Sequence, residues 1–161
     1  KSIRCGFYEI GESHKGENNM ILEFGACRVD VDTEATKAFY ETAPTTTQKC
    51  DCIDCRNYEK YTEYLSPKVE TFFTSLGINA AKSAEMRAVD TSNADVIVYE
   101  GTYVFVGTVL AGAGEEIALT RNFKVTFASE TIPSESGLPA NAAEIRISAN
   151  VPWVLPVKNP Y

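Results

Sequence analysis

Sulfur is concentrated at one point of the chain: Cys50-Asp51-Cys52-Ile53-Asp54-Cys55 puts three thiols into six residues, just ahead of a helical pattern. Thiolates this close together can wrap one soft ion. A C-x-C-x-x-C segment supplies two or three of the four ligands of tetrahedral zinc, and Cys27, Cys5 or His14 would complete the set. The candidate metal ligands are therefore Cys50, Cys52, Cys55 and Cys27. A second C-x-x-C or H-x-x-x-H pair, which would make the signature specific, is missing, so the fold must bring in the fourth ligand. The same thiols permit disulfide exchange, because the N-terminal end of a helix stabilises a thiolate at Cys52 or Cys55. Asp51 and Asp54 oppose this with negative charge, and a polar threonine loop precedes the cluster where a thioredoxin-like unit would have a strand. The third alternative is chemically inert: small, reduced, partly buried side chains at a helix start.

The rest of the reactive inventory is thin. His14 is the sole histidine, so at most one site could use imidazole, and it lies in the polar, glycine-bounded stretch 11–19, which reads as a solvated loop. Gly11 and Gly16 lack the G-K-[ST] and the preceding apolar strand of a phosphate-binding loop. The local carboxylate pairs, Glu115 with Glu116 and Asp30 with Asp32, fit a solvated turn and a helix start better than acid–base catalysis. No catalytic residue is assigned, and an enzyme is not the expected class. Tyr58, Tyr61, Tyr64, Phe72 and Phe73 are expected in the core and at its rim. Trp153, the only tryptophan, sits in Val151-Pro152-Trp153-Val154-Leu155-Pro156-Val157, which its prolines hold extended. It is either an anchor at the end of a strand or, as the candidate partner-binding residue, part of an exposed apolar edge.

With 15 Lys and Arg against 22 Asp and Glu, the chain carries a net charge of -7 over 161 residues. That excess disfavours nucleic acid and anionic membrane surfaces and favours a cation or a basic protein partner. The apolar run 96–114 is broken by Glu100, Thr102 and Thr108, so it reads as core strand and no membrane span is expected. Five cysteines cannot pair completely, which points to the cytoplasm, although a chain opening at Lys1 is compatible with a removed leader. The expected function is a non-catalytic, acidic protein-interaction module, with a cysteine-cluster protein that binds structural zinc or exchanges disulfides as the alternative. No cofactor other than such a zinc is expected. A structural zinc contributes about 10–16 kcal/mol in finger peptides, so chelation would unfold the helical half.

The elements that must position the thiols follow from periodicity. Met20, Leu22, Phe24 and Ala26 alternate, with Val29 and Val31 continuing after a bend at Gly25, as in a long strand or hairpin. Asp32 caps a helix with Ala35, Ala38 and Phe39 on its face, ending before Pro44, and 45–48 is a polar loop. Tyr58, Tyr61 and Leu65 mark a helix after Asp54. Ser66-Pro67 starts another, whose Val69, Phe72, Phe73 and Leu76 form a buried stripe stopped by Gly77. Glu100-Gly101 reads as a tight turn between strands 96–99 and 102–110, broken again at Gly112-Ala113-Gly114. Two more strands alternate through Phe123, Val125 and Phe127 and through Ile145, Ile147, Ala149 and Val151. Helices before residue 78 and strands mostly after it predict one α+β domain over 1–161: an antiparallel sheet of about five or six strands with a helical layer on one face.

Cys52-Ile53-Asp54-Cys55-Arg56-Asn57-Tyr58, Leu76-Gly77-Ile78, the strand over 103–107 and Pro152-Trp153-Val154-Leu155 together resemble a group of small proteins of gut-type Firmicutes. In that group a C-x-x-C-x-N-aromatic segment opens a helix pair. The resemblance implies a bacterial cytosolic setting and brings no activity or residue roles with it.

Overall fold

The structure, a computed structural model, describes residues 7–9, 19–132 and 137–161. Along the chain come β1 (Phe7–Glu9), β2 (Asn19–Phe24), β3 (Cys27–Asp32), α1 (Thr33–Thr42), α2 (Thr46–Lys49) and α3 (Ile53–Tyr61). A 3-10 turn (Thr62–Tyr64) leads to α4 (Pro67–Leu76), β4 (Glu85–Asp90), β5 (Ile97–Ala111), β6 (Glu116–Thr120), β7 (Phe123–Thr131) and β8 (Ala142–Val151). The fold is α+β. The eight described strands form one antiparallel sheet in the order β1-β2-β3-β5-β8-β7-β6, with β4 also paired to β5. The additional strands relative to the expected five or six are short: β4, in particular, alternates only Met86 and Ala88 with charged and exposed neighbours, too weak an apolar period to read.

The strand β5 organises the sheet. Its predicted interruption at Glu100-Gly101 does not occur: the strand is continuous over 15 residues and pairs with β8 from Ile97↔Val151 to Val106↔Ala142. Gly101 is there for space, because a Cβ on it would lie 2.4 Å from the Glu85 carbonyl oxygen and 2.3 Å from Met86 Cε on β4. On its other edge β5 pairs with β4 over Val98–Thr102 and with β3 over Gly107–Ala111, leaving a gap at Val104 and Val106. Helix α1 fills it. The Tyr40 hydroxyl accepts from Val104 N–H (3.1 Å) and donates to the Val104 carbonyl (2.8 Å), and Thr36 Oγ1 accepts from Val106 N–H (2.9 Å). Asp32 caps α1 as expected, but its buried residues are Thr36 and Tyr40 rather than the stripe through Ala35, Ala38 and Phe39. Hydroxyls win that face because the backbone of β5 needs partners there. Tyr40→Phe leaves two buried main-chain groups unsatisfied and is expected to cost about 2 kcal/mol, read as a lower denaturant midpoint at unchanged slope.

The register puts Tyr99, Tyr103 and Phe105 of β5, Phe123 and Phe127 of β7 and Ile145 of β8 on the same side, all fully buried. Onto them pack Phe72 and Phe73 of α4 and Tyr58 of α3, through Phe72–Phe127, Phe73–Tyr103, Phe73–Phe123 and Tyr58–Tyr99 ring contacts. Helix α4 forms as its sequence dictates: Ser66 caps it, Pro67 opens it, and Gly77 closes it at φ 85°. The sheet is strongly curled. Phe24 on β2 and Phe127 on β7 are separated by three strands in the sheet order, about 19 Å in a flat sheet, yet their ring centroids are 5.6 Å apart. Among the described residues no helix is long and apolar enough to cross a membrane.

Candidate functional site

The three thiols occupy the turn between α2 and α3, and both ends of that turn are anchored. Residues 45–48, expected to be loop, form the start of α2 through a capping box: Thr45 Oγ1 accepts from Gln48 N–H and Gln48 Oε1 accepts from Thr45 N–H. The buried Thr46 fastens this helix to the segment before β4, its N–H and hydroxyl both directed to the Ala81 carbonyl (2.9 and 3.0 Å) and its Oγ1 2.8 Å from Ser83 Oγ. Glu59 of α3 accepts from Thr47 N–H at 2.8 Å, joining the two helices. Between them, Cys50 N–H closes α2 on the Thr46 carbonyl, and Cys52 caps α3, its sulfur accepting from Cys55 N–H at 3.4 Å.

The Sγ atoms of Cys50, Cys52 and Cys55 all lie within 4.8 Å of one another. Cys50 Sγ is 3.3 Å from Cys52 Sγ, and both side chains are exposed; Cys55 is buried, its thiol directed at the Met86 carbonyl on β4 at 3.8 Å. Bonds from the Cys52 backbone and from the Cys52 and Cys55 thiols hold the Cys50 thiol below its ordinary range, whereas burial pushes Cys55 well above it. The two acids expected to oppose thiolates are each engaged by another group: Asp51 pairs with Arg56 at 3.8 Å, and both Asp54 carboxylate oxygens accept from Tyr161 (2.9 and 2.8 Å).

Beside the trio is a cavity of about 200 Å³ lined by Cys50, Cys55, Lys49, Glu85 and Met86, among others. The Lys49 ammonium is fixed in its wall by the Ser83 and Ala84 carbonyls, the latter at 2.8 Å. Burial lowers the Lys49 pKa, and Glu85 and Cys55 act in the opposite direction. The side of this wall that faces the thiols, Ser83 to Met86, was not legible in the sequence, because it comes from the weakly patterned β4 and the segment leading into it.

The fourth predicted ligand stands elsewhere. Cys27 opens β3 opposite Phe24, buried in the core, where burial raises its thiol to about 11. Register explains the separation: Arg28 pairs with Ala111 and Met86 with Gly101, ten positions apart on β5, or roughly 33 Å of strand. Cys5 and His14 lie outside the described residues. Trp153 packs partly buried against the core with its indole N–H donating to the Val157 carbonyl at 2.8 Å, while Val157 itself is exposed. The next residue is tied to the cysteine helix, Val154 N–H donating to Asn57 Oδ1 at 2.8 Å. No protein-family model, curated protein or solved structure matches the chain.

Proposed function

We propose that the chain binds zinc reversibly through Cys50, Cys52 and Cys55. The observation that carries this is the convergence of three sulfurs within 4.8 Å on one anchored turn. Zinc–sulfur bonds of about 2.3 Å imply sulfurs about 3.8 Å apart around a tetrahedral ion. The trio, with one pair at 3.3 Å and all pairs inside 4.8 Å, reaches that by small side-chain rotations. Soft thiolates select zinc or copper(I) over magnesium and calcium. Three thiolates and Zn²⁺ sum to one negative charge, and the Lys49 ammonium beside the trio offsets it. Among the described residues no fourth protein ligand joins the trio, Cys27 being remote, and the position they leave is open to water or to a small ligand in the cavity, the open arrangement of a site that exchanges its ion rather than the closed one of a structural centre.

Zinc displaces thiol protons, and Cys55 holds its proton above the ordinary thiol range. Affinity should therefore fall steadily as pH is lowered. The test is titration of the metal-free protein with zinc against a chromophoric chelator, and with cobalt(II) for its sulfur-to-metal absorption. One ion per chain is expected, with Cys55→Ser weakening binding at least roughly 10–100-fold. Substoichiometric binding, or binding unchanged in the Cys50, Cys52 and Cys55 triple serine variant, would refute it. Because Tyr58, Phe72, Phe73 and Leu76 are buried by protein contacts alone, chelation is now expected to release the ion without unfolding α3 and α4.

The net charge of -7 keeps a basic protein partner as a second reading. It stands behind zinc because the groove of about 570 Å³ on the sheet between β4 and β6 carries paired charges such as Arg87–Glu100 and Lys124–Glu116 rather than one sign.

A further inference from the structure

We propose that the same turn, in its metal-free state, carries out thiol–disulfide exchange with small disulfides of the glutathione type, Cys50 attacking and Cys52 resolving. The exchange uses two of the sulfurs assigned to zinc but needs no bound metal, so either reading can fail alone.

Access selects the pair. Exchange requires a thiolate to approach a disulfide in line with its S–S bond, so a buried sulfur reacts poorly whatever its neighbours. Among the described cysteines, Cys50 and Cys52 are exposed, whereas Cys55 and Cys27 are buried. Proximity then allows the second step. The Cys50 and Cys52 sulfurs are 3.3 Å apart, about 1.3 Å more than a disulfide bond. Neither residue is inside a helix: Cys50 ends α2 and Cys52 precedes the first residue of α3, so their side chains can close on one another without unwinding a turn. Cys52 Sγ also accepts the Cys55 N–H, a donor that stabilises charge on this sulfur as it attacks. The Cys55 sulfur is buried and faces the Met86 carbonyl, and it forms no bond to the small disulfide.

In the first step Cys50, its proton lost to solvent, attacks one sulfur of RSSR. The Cys50–SR bond forms as the RS–SR bond breaks, and RS⁻ leaves and is protonated. In the second, Cys52 gives its proton to water and attacks Cys50 Sγ; the Cys50–Cys52 bond forms and the second RS⁻ departs. Two protein thiols are oxidised by two electrons and one RSSR is reduced to two RSH. The ring that closes across a single intervening residue is small and strained, which makes the disulfide easily reduced again.

The experiment incubates chelator-treated protein with oxidised glutathione, quenches with acid and maps the products by peptide mass spectrometry. The wild type is expected to form the Cys50–Cys52 disulfide with release of two glutathiones per chain, reversed by dithiothreitol. Cys52→Ser should stop at a mixed disulfide on Cys50, and Cys50→Ser should lose most of the reaction rate. Circular dichroism of each variant checks that these exposed substitutions leave the fold intact. A wild type that stays reduced, a disulfide that includes Cys55, or a Cys52→Ser adduct on any other cysteine overturns the proposal.

Discussion

Replacing Phe72 by alanine is expected to lower the unfolding free energy by about 3–5 kcal/mol, the largest effect of any single truncation considered for this chain. Phe72 is fully buried, and its ring lies 4.9 Å from that of Phe24, 5.4 Å from Phe73 and 5.9 Å from Phe127. Phe24 belongs to β2 and Phe127 to β7, so one helical side chain holds together two strands that the sheet order keeps apart. Alanine would leave a cavity at the point where the sheet curls over α4, and strands on both sides would have to shift to fill it. Urea denaturation followed by far-UV circular dichroism should show the midpoint falling with the slope unchanged. A loss under about 1 kcal/mol would mean that the curl is maintained by other contacts.

The second large effect is expected from a polar residue. Asn57 is completely buried in α3, and its side chain satisfies three groups: Nδ2 donates to the Pro152 carbonyl (3.2 Å) and to Tyr99 Oη (3.4 Å), and Oδ1 accepts from Val154 N–H (2.8 Å). The amide thus acts as a short piece of strand that the segment after β8 can pair with. Asn57→Ala leaves the Pro152 carbonyl and the Val154 N–H, both in part-buried bonds, without their partner; at about 1–2 kcal/mol for each, the lower part of the range for a fully buried group, the loss is roughly 2–4 kcal/mol. Because Trp153 lies between the two anchored residues and is the only tryptophan, its fluorescence reports the loss directly. Emission should shift to the red and become more accessible to quencher as the segment comes away from the core. Unchanged stability together with unshifted emission would refute the clamp.

These two residues mark the boundary of what periodicity can reveal. Phe72 was legible because α4 repeats its apolar residues every three or four positions between a Ser-Pro start and a glycine stop, all of which are local properties of the chain. The hairpin β2–β3, the Asp32 cap and the alternating strands β7 and β8 were legible for the same reason. Asn57 looks like any solvated helix residue until residues 152–154 arrive beside it. Tyr40 and Thr36 were missed likewise: their value depends on a gap in the pairing of β5, which no local pattern announces. Gly101 misled in the opposite direction, since a glycine needed for close packing is indistinguishable in sequence from one needed for a turn.

At the site, spacing alone brought out Cys50, Cys52 and Cys55, because residues two and three apart at a helix entrance are neighbours in almost any fold. Sequence by itself therefore determined that sulfur gathers there, that α4 is amphipathic and that the architecture is α+β. Tertiary structure decided the rest: that Cys27 is spent in the core on β3, beside the far end of β5, that the chain opposite the thiols is β4 with Glu85 and Met86, and that Lys49 is fixed beside them. The physical reason is range. Helix caps, turns and alternation are set by interactions within a few residues, whereas ligand completion, burial and the partners of a buried amide depend on which distant strands the sheet brings into register.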